Sequence, residues 1–185
     1  MAAPRRALVV IDVQQSFREL PSWAQISAPD LAERIAPLVE HARTAGDKVV
    51  WVLHSEPGSD SPFDPASGHV HLLPGLEPAD GEPVLHKTSH NAFTTTNLGQ
   101  LLTQWGVGGV DVAGIRTEQC VETTARLASD FGHDVRFVVD ATATHPRPTA
   151  DGTRVIPAEE VIERTAAALQ GRFASVVTIA EVLAS

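Results

Sequence analysis

The chain predicts an α/β fold, a six-stranded parallel sheet with helices on both faces in three layers. Three observations carry that expectation. Short β-branched runs alternate with longer segments of helical period, the pattern of strands joined by crossover helices. Several of the short runs are apolar throughout, as strands buried on both faces are. Gly46, Gly106, Gly132 and Gly171 each stand just past a periodic segment, where a helix C-terminus takes glycine.

In chain order, the first strand is Ala7 to Val13, opening with Ala-Leu-Val-Val-Ile. A helix follows over about Asp30 to Ala45, then a strand from Lys48 to His54. The segment Ser55 to Glu82 breaks the rhythm with Pro, Gly, Ser and Asp, and a loop of that length inside a compact domain is usually functional or mobile. A strand at Pro83 to Lys87 precedes a helix at Thr96 to Trp105. A strand at Gly109 to Ile115 precedes a helix at Glu118 to Phe131. The chain closes with a strand at Val135 to Asp140, a helix at Ala158 to Leu169 and a strand at Ser175 to Ile179. With 185 residues, 43% of them apolar, and no internal repeat or low-complexity linker, residues 1–185 read as one domain.

Composition excludes several functions. Lys plus Arg number 14 against 23 Asp plus Glu, a net charge of −9 without any basic run. A nucleic-acid backbone and an anionic membrane surface both require clustered positive charge, so neither is an expected partner. The single cysteine, Cys120, has no partner for an internal disulfide and is too few for a thiolate zinc cluster, which fits a reducing compartment. The apolar run Ala7–Ile11 is far too short for a signal h-region or a membrane span, and the expected location is cytoplasmic.

In doubly wound sheets ligands bind beyond the carboxyl ends of the strands. Three reactive residues fall there. Asp12 closes the first apolar run, Lys87 closes the third, and Cys120 follows the fourth in the first turn of a helix. Each alone has a plain structural reading: a strand-end cap, a solvated lysine, a small buried hydrophobe. Their combination carries the functional reading.

The segments Val10-Ile-Asp-Val-Gln-Gln-Ser-Phe17, His86-Lys-Thr-Ser-His-Asn-Ala-Phe-Thr-Thr-Thr-Asn-Leu98, Val112-Ala-Gly-Ile-Arg-Thr-Glu-Gln-Cys-Val-Glu-Thr-Thr-Ala-Arg126 and Val139-Asp-Ala-Thr-Ala143 together resemble the isochorismatase-like cysteine hydrolases. The likeness runs from about Ala7 to Thr144 in the family's order and spacing. It implies a Rossmann-like sandwich, an Asp-Lys-Cys triad on Asp12, Lys87 and Cys120, and a cis peptide bond at Ile115-Arg116. It further implies that the backbone N–H groups of Arg116 and Cys120 form an oxyanion hole.

A free thiol has a pKa of about 8.5 and is only a few per cent thiolate at neutral pH, so a nucleophilic cysteine needs help. The positive end of the helix that Cys120 opens and the Lys87 ammonium are expected to favour thiolate, with Asp12 accepting the proton. The thiolate would attack a substrate carbonyl and Asp12 would hand its proton to the leaving amine, then activate water against the thioester. Gly114, Thr117, Asp140, Thr142 and Gln14 read mainly as scaffold.

Eight histidines raise the question of a metal. The nicotinamidase branch of the family holds one through an Asp-x-His just after the second strand, with a further histidine in the following loop. Here that point reads Leu53-His-Ser-Glu-Pro-Gly58 and has no Asp-x-His, so no metal and no other cofactor is expected, and nicotinamide is not the expected substrate. Candidate pocket walls are Phe17, Trp23, His54, Phe63, His90, Phe93 and Gln119, with the Arg116 side chain; Trp105 and Phe131 read as core.

The expected function is therefore hydrolysis of a small amide, carbamoyl or related C–N bond through a cysteine thioester. A vinyl-ether hydrolase with Asp12 as acid, and a non-catalytic binding or assembly subunit, are the alternatives. The partner is a small-molecule substrate, and the family likeness implies a homo-oligomer, dimer or tetramer.

Overall fold

Along a strand successive side chains point to opposite faces, so a strand apolar at every position must be covered twice. That arrangement is seen in the computed structural model, which describes residues 5–185. Strands β1 (Arg5–Ile11), β2 (Lys48–His54), β3 (Val84–Lys87), β4 (Val107–Ile115), β5 (Asp134–Ala143) and β8 (Ser175–Val177) form one parallel sheet in the order β3-β2-β1-β4-β5-β8. Leu8 and Val10 of β1 enter one core layer with Leu31, Ile35 and Leu38 of helix α1 (Leu31–Ala45). Ala7, Val9 and Ile11 enter the other, with Leu98 and Leu102 of α2 (Leu98–Trp105), Ala125 and Ala128 of α3 (Glu122–Asp130), and Leu169 of α4 (Ala158–Leu169). No helix among the described residues is long and apolar enough to cross a membrane.

The strand order reverses between β1 and β4, and the crevice at that reversal is where ligands sit in open parallel sheets. The opposite end of the sheet is closed by charge. Buried Asp111 of β4 receives Arg6 Nε from β1 at 2.9 Å and Arg136 Nε from β5 at 2.8 Å, tying three adjacent strands.

Several boundaries differ from the sequence reading. β1 stops at Ile11 because Asp12 turns into the left-handed region, φ 55°, where a strand cannot continue. The helix expected from Glu118 begins instead with a π-helical turn, Thr117–Val121, that leads into α3. The last strand ends at Val177, and a short helix, α5 (Ile179–Leu183), follows it. Thr178 and Glu181 form a reciprocal capping box there, a Thr-x-x-Glu signal present in the sequence. A hairpin of two short strands, β6 (Arg147–Pro148) and β7 (Val155–Ile156), fills what read as a connection. The Ser55–Glu82 segment is packed down: Leu73 and Leu76 enter the first core layer, and Glu82 accepts hydrogen bonds from Arg43 and from Trp51 Nε1.

Gly114 lies inside β4 and pairs with Ile11 at the reversal point. Its φ is 133°, and a Cβ there would collide with the Ile11 carbonyl oxygen. Gly114→Ala is expected to lower unfolding stability by roughly 2–4 kcal/mol, from overpacking added to an unfavourable φ. Gly132→Ala, at φ 88° with open space around its Cβ position, should cost only about 1–2 kcal/mol. Chemical-denaturation midpoints of the two variants measure the difference.

Candidate active site

Four adjacent strands deliver their carboxyl ends to one place. Lys87 ends β3, His54 ends β2, Asp12 follows β1, and Cys120 lies in the π-helical turn after β4. The left-handed backbone at Asp12 turns its side chain out of the strand line, and its N–H bonds to the Val52 carbonyl at 2.8 Å. Asp/Asn tolerate that region better than most residues.

Lys87 is the centre. Its Nζ lies 2.8 Å from Asp12 Oδ2, and both side chains are fully buried. It also donates to Cys120 Sγ at 3.4 Å and to the Ser89 carbonyl at 3.1 Å, and stands 3.3 Å from His54 Nδ1. Burial and the Lys87 charge hold His54 below its ordinary pKa, so its ring is neutral at pH 7. Nδ1 facing an ammonium is then the acceptor, and Nε2 carries the hydrogen toward Glu56 Oε1 at 3.2 Å. Gln14 clamps His54 from behind: its Oε1 accepts the His54 N–H at 2.7 Å and its Nε2 donates to the His54 carbonyl at 3.0 Å.

The thiol departs from the sequence expectation. Burial, followed by the Asp12 carboxylate, pushes Cys120 up to about 12, and Lys87 opposes only part of this. Asp12 is raised as well, by burial against the pull of Lys87. The cation faces a carboxylate at 2.8 Å before it faces the sulfur at 3.4 Å, so the ion pair leaves little net positive field for the thiolate.

The Ile115-Arg116 peptide bond is cis. Beyond it, the Arg116 carbonyl accepts the N–H groups of Gln119 (3.1 Å) and Val121 (3.3 Å), skipping that of Cys120 between them. Such π openings are frequent at functional sites. Thr117 donates to Thr142 at 2.9 Å, tying the turn to β5, and Thr124 donates to the Cys120 carbonyl at 2.6 Å while accepting the Ala92 N–H at 3.1 Å.

An aromatic wall runs from His54 to Arg116. Phe63 meets His54 edge-on at 5.6 Å and Phe17 at 4.9 Å, and the Arg116 guanidinium lies over the Phe17 ring at 5.6 Å. Gln119 Oε1 accepts from Arg116 at 3.4 Å. Phe93 is buried in the apolar cluster that includes Cys120. Of the other residues expected in the wall, Trp23 packs against the core layer that includes Phe17 and Phe63, with Arg18 over its ring, and His90 is exposed with no hydrogen bond to its ring among the described residues. Phe131, read as core, is 62% exposed and stacks edge-on with Phe93. Asp140 anchors α5 by accepting the Ile179 N–H at 2.7 Å.

Glu118, Thr144, His145 and Arg147 were not singled out in the sequence. They lie at or just past the carboxyl end of β5 or in the turn after β4, so the strand-end rule that found Asp12 and Cys120 applies to them too. Among the described residues no group of three or more His, Cys, Asp or Glu side chains is placed to hold a metal ion.

A buried Asp-Lys pair beside a cysteine, at the reversal of a doubly wound parallel sheet, defines a cysteine-hydrolase type of α/β protein. The model of the isochorismatase domain matches residues 6–179, and the chain belongs to the isochorismatase family of hydrolases. Streptothricin hydrolase from Streptomyces noursei is 40% identical over 80% of this chain, which spans 58% of that relative's length. The nicotinamidase/pyrazinamidase of Mycobacterium tuberculosis is 32% identical over 75% of this chain and 86% of its own. A cysteine hydrolase from Pseudomonas syringae pv. phaseolicola superposes with a TM-score of 0.88 at 25% identity, covering 97% of this chain and 91% of that one.

Two measurements test the electrostatics. Alkylation of Cys120 by iodoacetamide in the free protein should be slow at neutral pH and accelerate only well above about 8.5, the free-thiol value. A pH–rate profile with an inflection below that value contradicts the burial argument. Removing Lys87 should leave Asp12 alone in the core. A carboxyl raised on folding contributes stability that is fully present below its ordinary value of 3.8 and lost as pH rises through the folded value. Lys87→Met enlarges that rise, so its stability deficit should be small near pH 4 and open to roughly 3–5 kcal/mol at neutral pH. Adding Asp12→Asn should close the gap, as equilibrium denaturation of the three variants across pH would reveal.

Proposed function

We propose that the protein hydrolyses a small amide, carbamoyl or related C–N bond, with Cys120 as nucleophile, Asp12 as proton carrier and Lys87 as the fixed cation between them. The observation that carries this reading is the position of Lys87 Nζ, 2.8 Å from Asp12 and 3.4 Å from Cys120 in a buried site. Hydrolysis by this family, including a relative named for an amide substrate, supports the reaction class.

The two raised pKa values serve one step. When the thiol proton passes to Asp12, the carboxylate becomes neutral and the sulfur becomes the anion. One negative charge faces Lys87 before and after. No charge has to be brought into the buried site, and the cation merely changes partner, so the transfer escapes the desolvation penalty that keeps the isolated thiol protonated. Burial disfavours both anions, so solvation favours neither side of the exchange.

The thiolate sulfur then bonds to the substrate carbonyl carbon, and the oxyanion is held by the backbone N–H groups of Arg116 and Cys120. Collapse breaks the C–N bond as the nitrogen takes the proton from Asp12, leaving a thioester. Water attacks the thioester while Asp12 accepts its proton. The acid departs, and the expelled thiolate recovers that proton from Asp12. Lys87 stays protonated throughout. His54, neutral and clamped by Gln14, is a positioning residue that fixes the ammonium from the β2 side. A free thiol is best preserved in a reducing compartment, and the cytoplasm is part of this reading.

A panel of small amides and ureas assayed for release of ammonia tests the reaction. Cys120→Ala should abolish turnover, and Asp12→Asn should lower kcat by roughly 100- to 10,000-fold, the range of general acid–base catalysis. Mass spectrometry during turnover should show an acyl adduct on Cys120. Turnover that survives Cys120→Ala overturns the covalent mechanism.

A further inference from the structure

Apart from the Asp12 carboxylate, which Lys87 faces, five buried side-chain polar atoms among the described residues lack a hydrogen-bond partner: Arg116 Nε, both Glu118 carboxylate oxygens, Thr144 Oγ1 and His145 Nε2. Buried polar atoms in folded proteins are almost always paired, so such a concentration points to something that binds there. Ile115 pairs with Ala143 across β4 and β5, which places Arg116 and Thr144 side by side at the carboxyl ends of those strands.

The charges around this flank can be paired off. Asp12 and Lys87 neutralise each other. Arg147 Nε lies 3.9 Å from Glu118 Oε1. Burial lowers the pKa of His145, so its ring is neutral at pH 7; its Nδ1 lies 2.9 Å from the Pro146 carbonyl and must carry the hydrogen, leaving Nε2 an acceptor. Arg116 is what remains. Its partners are the face of Phe17 and the neutral Gln119 amide, and it makes no ion pair among the described residues. It lies in the fields of Arg147, Glu118 and Cys120, so two guanidiniums share the one Glu118 carboxylate and the flank keeps one net positive charge. An anion placed there meets that charge and relieves the repulsion between the two guanidiniums.

We infer that Arg116, half-buried at the cleft wall with its Nε unpaired, is a specificity-determining residue that binds a carboxylate on the substrate. The substrate class is then a small monoanionic amide or carbamoyl compound, with its carboxylate on the Arg116 side of the scissile bond. A planar guanidinium pairs with a carboxylate through two parallel N–H donors, which fixes orientation as well as charge. The stack on Phe17 holds the fork in place before the ligand arrives. This rests on the proposed hydrolysis and names the substrate for it.

The test uses matched pairs: malonamate, succinamate and glutaramate, each against the amide in which an isopropyl group replaces the carboxylate. Wild-type kcat/KM should favour at least one carboxylate over its shape-matched neutral partner by roughly ten- to a hundredfold, the worth of a charge-assisted hydrogen bond. Arg116→Met should erase that ratio, mainly through KM, and Arg116→Lys should restore part of it. A second readout needs no turnover. Succinamate should protect Cys120 from iodoacetamide at alkaline pH in the Cys120-intact protein, and Arg116→Met should lose that protection. Arg116-dependent protection without cleavage of any amide keeps the carboxylate site and overturns the amide reaction. Equal use of the paired amides, a preference that survives Arg116→Met, or a preference for ammonium-bearing amides with Glu118 as their partner overturns the carboxylate site.

Discussion

Two fully buried side chains of opposite charge, Lys87 and Asp12, meet at 2.8 Å across the carboxyl end of β2. Taking a carboxylate and an ammonium out of water costs several kcal/mol each, and their attraction offsets this only while both remain in place. The surrounding structure is arranged around that condition. Gln14 pins the end of β2, His54 turns an acceptor toward the ammonium, the Ser89 carbonyl takes another of its hydrogens, and the left-handed turn at Asp12 brings the carboxylate to it. The close approach of β1 and β4 at Gly114 lets the cysteine turn start immediately beside the pair.

The same pair determines how the thiol behaves. A lysine beside a cysteine would ordinarily favour thiolate, yet this lysine is already occupied by a nearer carboxylate, and burial penalises any new charge. The resting site therefore holds one cation, one anion and one neutral thiol. Burial keeps that thiol protonated at neutral pH, and a single negative charge faces the cation.

The two ends of the sheet handle charge differently. At the amino end Asp111 is saturated by two arginines, an arrangement that locks three strands and leaves nothing free. At the carboxyl end polar atoms of Arg116, Glu118, Thr144 and His145 are left short of partners. Pairing is complete at one end of the sheet and incomplete at the other.

The sequence by itself determined the architecture and which chemistry-bearing residues stand at the carboxyl ends of the strands. Short runs apolar at every position, separated by helical segments, specify buried parallel strands through local pattern alone. Asp12, Lys87 and Cys120 are legible because each closes or follows such a run, where a doubly wound sheet exposes its ligand crevice. Helix α5 was legible in principle from Thr178 and Glu181, while the β6–β7 hairpin is too short to leave a periodic trace. What only the tertiary structure decided is what each group feels. The direction of the Cys120 shift depends on whether burial and Asp12 outweigh Lys87, and desolvation is a property of everything packed around the thiol rather than of its neighbours in the chain. His54 stands beside Lys87 because Gln14 holds the end of its strand, while the His90 ring is exposed and has no hydrogen-bond partner among the described residues. That Arg116 makes no ion pair among the described residues is likewise invisible in sequence, since pairing depends on what the folded chain brings within reach of it.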